Sequence, residues 1–241
     1  AQGFKKLEKM GAIKELESDQ VLDRLKADYI STVKANKLAL IISPTHKERE
    51  KVNSAVREEL RGLKNLKGKD REYHKLQSLN FTEADKKDPQ NYKAGMFIQA
   101  HLNINKDLPR GTKAIVQNVE EGTVWLRNEQ GKKMVLPINQ SERFDVCHRK
   151  ELKLAKGEMI RMTKNSYDVN SSRMNNGTVL EISGFNRQGQ IRAHTVSTGG
   201  KVNAKEFLLD KNHGNFDYAY CQTSYASQGK TVDHVFIHQP A

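Results

Sequence analysis

The densest run of groups able to hold a phosphate or sugar oxygen in this chain is Thr223-Ser224-Tyr225-Ala226-Ser227-Gln228-Gly229-Lys230-Thr231-Val232-Asp233. Hydroxyls, an amide and a glycine lie there between two strand-like stretches, Tyr218 to Thr223 and His234 to His238, which suits donors converging on an oxyanion. A polar loop that merely joins two strands has the same composition, so the residues leave both readings open. Gly229-Lys230-Thr231 is not a phosphate-binding P-loop. That motif needs a glycine five residues before Gly229, where Ser224 stands, and no other Gly-Lys in the chain completes it.

Two further segments carry candidate contacts. Ser43-Pro44-Thr45 sits where an apolar run delivers the chain to a helix start, the place in open α/β sheets where ligands bind and where backbone N–H groups suit a phosphate. Any helix cap looks the same. Arg49 and Asn53 on that helix either reach a nucleic-acid backbone or stay solvated. In Gly157 to Asn165 the side chains of Arg161, Thr163 and Asn165 alternate along one strand, and Asn175-Asn176-Gly177 marks the following turn. Such a row can track phosphates, and a polar sheet edge has the same pattern.

Other constellations are poorer. His234 and His238 have no carboxylate cluster beside them, so no metal site is expected. Ser224 and Ser227 lack His and Asp partners for nucleophilic catalysis. Trp125 and Tyr92 could stack on bases or serve as core aromatics. Cys147 and Cys221 have no metal-type spacing and read as reduced, structural thiols.

The elements that must position these residues are legible from period and punctuation. Residues 3 to 36 read as helices, with Leu7 and Met10 and then Val21, Leu22, Leu25 and Ile30 at helical spacing. Leu38 to Ser43 is a continuous apolar run, as in a strand covered on both faces of a parallel sheet. Thr45 with Glu48 then forms a capping box, and Val52, Ala55, Val56 and Leu60 line one helix face.

Residues 61–94 are dense in charge and read as an exposed insertion. Short strands with turn signals follow over 95–150 and again over 151–210, each set reading as a small β-barrel, and 211–241 returns to α/β character. The fold class expected is α/β, with two small barrels inserted into one α/β domain.

Lys and Arg number 41 against 29 Asp and Glu, a formal charge of +12 over 241 residues, which favours a polyanionic partner. No apolar run approaches the ~20 residues of a spanning helix, so no membrane partner is expected. Ala1 to Glu15 mixes charges with single apolar residues, so no secretory signal is read and a cytoplasmic protein is expected.

In their order, these segments resemble the RecD-like branch of superfamily 1 helicases (superfamily 1B), and most closely the helicase part of conjugative relaxases of the MobF type. Leu38 to Thr45 with Arg49 and Asn53 is similar to the family's motif IV region. Gly157 to Asn165 with Asn175-Asn176-Gly177 is similar to its "GD-R-T-N … NG" segment, and Thr223 to Thr231 resembles its "T-x-H-x-S-Q-G-x-T" motif V. Gly11 to Glu15 resembles the stretch after motif III, so the likeness covers nearly the whole chain. Glu158 stands where Asp is usual, and Tyr225 where a His is common, which puts a His-dependent contact in doubt.

The resemblance implies a second RecA-like motor domain with SH3-like barrel insertions. Residues 1–60 would begin the motor domain, 61–94, 95–150 and 151–210 would be inserted, and 211–241 would return to it. Single-stranded DNA would be contacted by Ser43, Pro44, Thr45, Arg49, Asn53, Arg161, Thr163, Asn165, Asn176, Thr223 and Ser224. Gln228, Gly229, Lys230 and Thr231 would couple DNA to nucleotide.

ATP and Mg would be held mainly by a first motor domain carrying the Walker A and B segments, so this part alone would bind neither strongly and would not hydrolyse ATP. Implied partners are the remaining helicase and relaxase domains of the same polypeptide and a type IV secretion machinery, around a monomeric chain. The alternative is a non-motor nucleic-acid-binding or secretion-recognition module on the same scaffold.

Overall fold

A computed structural model describes residues 2–196, 205–227 and 232–238. Helix α1 (Gln2–Lys9) leads by a turn to α2 (Val21–Lys34), which buries Leu25, Tyr29 and Ile30 on one side. Strand β1 (Ala39–Ile42) follows, then α3 (His46–Gly62), whose Val52, Val56 and Leu60 pack with α2 around Ile41.

The charged stretch after α3 is structured. It supplies the long strand β2 (Lys67–Ser78) and helix α4 (Glu83–Lys87), whose Thr82 and Asp85 complete a capping box. β2 reads as polar in sequence because its buried members include Lys75, which gains a carboxylate partner only in three dimensions.

Strands β3 (Phe97–Ala100), β4 (Lys113–Glu120), β5 (Thr123–Asn128), β6 (Lys133–Val135) and β7 (Phe144–Lys156) complete a six-stranded antiparallel sheet in the order β2-β7-β3-β4-β5-β6. After it come β8 (Met159–Met162), β9 (Ser166–Tyr167), β10 (Arg173–Met174), β11 (Val179–Phe185), β12 (Ile191–Thr195), β13 (Glu206–Leu209) and β14 (Phe216–Tyr218). Five of these form a second sheet, β13-β12-β11-β8-β14, and β9 and β10 pair as a small ribbon.

The chain then returns through β15 (Cys221–Gln222), the four-residue helix α5 (Ser224–Ser227) and β16 (His234–Ile237) to the parallel sheet β15-β1-β16, with β1 in the centre. The architecture is mixed α/β. The closed barrels expected from the sequence give way to open sheets. Among the described residues no pairing joins β2 to β6 or β13 to β14. In the six-stranded sheet the physical reason is strand length: β2 and β7, of 12 and 13 residues, run on past the shorter strands and carry their ends to α3 instead of bending back to close a ring.

β7 ties the layers together. Phe144 and Val146 belong to the core under β3–β6, Leu152 and Leu154 to the core over the five-stranded sheet, and Ala155 to the core between α2, α3 and β1. The boundary expected between residues 150 and 151 therefore falls inside one continuous strand. Among the described residues no helix is long and apolar enough to cross a membrane.

Candidate nucleic-acid interface

The Ser43-Pro44-Thr45 and Thr223-Ser224 segments meet at the C-terminal ends of parallel strands. β1 and β15 pair with Ile42 opposite Gln222, and Ser43 N–H donates to the Gln222 carbonyl at 2.9 Å. Ser43-Pro44-Thr45 and Thr223-Ser224 consequently leave the sheet side by side. Pro44, Thr45 and Ser224 are exposed, Thr223 is half-buried, and Ser43 is fully buried.

Thr45 caps α3. Its Oγ1 accepts the Glu48 N–H at 3.2 Å and donates to the Glu48 carboxylate at 2.8 Å, while Ser43 Oγ reaches the same carboxylate at 3.4 Å. Gln228, Gly229, Lys230 and Thr231, the expected coupling segment, lie outside the described residues, as does the Tyr225 side chain.

Behind this rim, α3 presents Arg49, Asn53, Arg57 and Arg61 at intervals of four, which places them on one face. None of the four points freely into solvent. Arg49 donates to Asp217 at 3.2 Å, and Arg57 reaches Glu158 at 3.1 Å and Asp70 at 2.7 Å. Arg61 pairs with Asp70 at 2.9 Å and donates to the Leu66 carbonyl at 3.0 Å. Asn53, 3% exposed, bonds both backbone groups of Cys221. Arg49 and Asn53, expected as backbone contacts, thus fasten the helix to β14 and β15, because each finds a carboxylate or peptide partner across the interface.

Glu158 is fully buried between Arg57 and the Tyr220 hydroxyl. Burial pushes its carboxyl up to about 7, outweighing the opposing pull of Arg57 and of the Tyr220 hydrogen bond. Gly157 before it has φ +88°, and a Cβ there would lie 2.8 Å from the Asn65 carbonyl oxygen, so the position needs glycine.

The row expected to alternate along one strand splits, because β8 ends at Met162 and leaves Thr163 and Asn165 in the following turn. Arg161 turns inward and is buried. Thr163 is half-buried, its N–H donating to the Asn215 carbonyl at 3.0 Å, and Asn165 is exposed but accepts the Asn176 N–H at 2.7 Å. Asn165 and Asn176 therefore hold the turn that brings Gly177 N–H onto the Met162 carbonyl at 2.8 Å. Tyr92 is a core residue, its hydroxyl donating to the Lys86 carbonyl at 2.6 Å, whereas half-buried Trp125 lies under Lys133 Nζ at 4.3 Å from the ring centre.

Sequence reasoning missed Lys75, Arg57, Asp217 and Tyr220. The four-residue spacing of the α3 stripe was the available signal for Arg57. Lys75 and Asp217 lie on strands and Tyr220 on the link between β14 and β15, all with partners distant in sequence, and local pattern gives no sign of them.

No protein-family model matches the chain, and no curated protein does. Among solved structures, similarity is found to a Pif1 helicase from Bacteroides in complex with ADP-AlF3 and ssDNA, at 15% identity and a TM-score of 0.24, covering 93% of this chain and 40% of that one. A Pif1 helicase from Candida albicans is similar at 12% identity and a TM-score of 0.19, covering 83% and 38% of the two chains. The chain spans about two-fifths of the length of these helicases.

Proposed function

We propose that the chain is the second motor domain of an ATP-driven helicase that moves along single-stranded DNA, within a conjugative relaxase of the MobF type. The observation that carries this reading is the junction of Ser43-Pro44-Thr45 with Thr223-Ser224, locked by the Ser43 to Gln222 hydrogen bond at the ends of two parallel strands. Open α/β sheets bind ligands there. The order of the segments along the chain, which resembles superfamily 1B helicases, and the charge of +12 support it.

In this reading the exposed hydroxyls of Thr45 and Ser224, with Thr223 and Pro44 beside them, receive the strand. Thr163, Asn165 and Asn176 extend the contact along the insertion. Gln228, Gly229, Lys230 and Thr231 couple DNA to ATP and Mg held mainly by a first motor domain. Asn53 and the Arg49 to Asp217 pair hold the platform that carries this rim. Relaxase domains of the same polypeptide and a type IV secretion machinery are the further partners.

The test is fluorescence polarisation of a labelled single-stranded oligonucleotide with this chain at low salt. Binding should weaken linearly in log salt, as released counterions require, and about ten-fold with Thr223→Val combined with Ser224→Ala. No binding at low salt, or binding indifferent to that double substitution, overturns the reading.

A further inference from the structure

Arg161 on β8 sits opposite Asp217 on β14, and Arg49 approaches the same carboxylate from α3. Arg161 is 8% exposed, its Nε is buried without an acceptor, and no described residue accepts a hydrogen bond from its guanidinium. Arg49 Nε is likewise buried without an acceptor. Asp217 has little left to offer, because its two oxygens each accept from Lys75 Nζ at 2.8 Å and one also receives the Tyr218 N–H at 2.9 Å.

The second carboxylate of the cluster, Glu50, is held by Lys150 at 2.7 Å with Lys75 at 3.6 Å. Among the described residues, Arg49, Arg161, Lys75 and Lys150 stand against Asp217 and Glu50, whose Oε1 receives no hydrogen bond: four cations to two anions. Burial lowers the proton affinity of Arg161, and the charge of Arg49 lowers it further.

A buried guanidinium Nε–H with no acceptor is costly to folding, and the cost falls away once an anion accepts from it. We propose that Arg161 and Arg49 form a recessed oxyanion site that takes a phosphate group, the chemistry shared by a nucleic-acid backbone and the terminal phosphates of a nucleotide. Planar guanidinium donors match two phosphate oxygens at once, which a lysine cannot do. Arg49 lies one helical turn along α3 from the Thr45 cap. The site stands independently of the DNA reading.

The experiment is thermal unfolding of the 241-residue chain at constant ionic strength, titrated separately with inorganic phosphate, a ten-nucleotide single strand and ATP. The wild-type midpoint should rise with inorganic phosphate and with whichever larger ligand presents its phosphate there. Arg161→Met keeps length and apolar bulk while removing the charge. Its midpoint without anion should equal or exceed that of the wild type, and its affinity for the effective anion should fall at least ten-fold. Arg161→Lys should lose most of the affinity as well.

A stronger response to the oligonucleotide identifies a backbone phosphate, and a stronger response to ATP identifies a nucleotide. A response to phosphate or ATP with none to the oligonucleotide supports the anion site and counts against the DNA reading. Three outcomes overturn the site: no response to any of the three, an Arg161→Met chain that responds like the wild type, or an Arg161→Met midpoint several degrees lower without anion, which would make Arg161 a structural partner of Asp217.

Discussion

Asn53 and Cys221 form a closed pair: Asn53 Oδ1 accepts the Cys221 N–H at 2.9 Å, and Asn53 Nδ2 donates to the Cys221 carbonyl at 3.3 Å. A side-chain amide here completes the hydrogen bonding of a two-residue strand. Asn53→Ala leaves both peptide groups buried and unpaired, at a cost of about 2–4 kcal/mol. Urea unfolding should show a lower midpoint with an unchanged slope, and a loss below about 0.5 kcal/mol would mean that solvent reaches β15.

Gly157 makes a second stability prediction through the backbone. Gly157→Ala sets a Cβ 2.8 Å from the Asn65 carbonyl in a left-handed conformation, and should cost about 1–3 kcal/mol. Gly122→Ala is the control. It has positive φ as well, but its surroundings are open, so it should cost less.

Two buried groups give opposite pH dependences. The Glu158 carboxyl holds its proton up to about 7 in the fold against an ordinary value of 4.5, so the folded state binds more protons and stability falls as pH rises from about 4.5 to 7. His213, buried beside the Lys113 charge, is held down to about 3 against an ordinary 6.5, so stability is lost as pH falls from about 6.5 toward 3. Between about 4.5 and 6.5 the slopes oppose each other. Glu158→Gln should therefore make stability climb more steeply with pH across that window. A chemical-denaturation series at half-unit steps that superimposes on the wild type rejects the assignment.

The coupling role proposed for Gln228 is tested in a polypeptide that joins this chain to a first motor domain. Gln228→Ala should reduce DNA-stimulated ATP hydrolysis and strand unwinding at least ten-fold while changing oligonucleotide affinity by less than about three-fold. Equal losses in both would make Gln228 a DNA contact alone.

The legible parts of the fold were those whose signal is local. The apolar run into Ser43, the Thr45 cap and the strands β4, β5, β8, β11 and β12 follow from short-range pattern and turn residues, whereas β7 carries no such signal. β2 stayed hidden because Lys75 and Tyr73 are buried by partners far along the chain, Asp217 and the five-stranded sheet. The candidate site was half legible for the same reason. That Thr45, Thr223 and Ser224 follow strand ends was legible from punctuation, whereas Arg49, Asn53 and Arg161 are donors whose direction only tertiary packing decides.

β7 gives side chains to all three cores, from Phe144 at one end to Ala155 at the other. A strand shared in this way works as a strut: load applied to the outer strands reaches α3 and the strand-end rim without crossing a soft joint. The amides of Leu152 to Ala155 should consequently be among the slowest to exchange with deuterium, and the segments around them should open together rather than one by one.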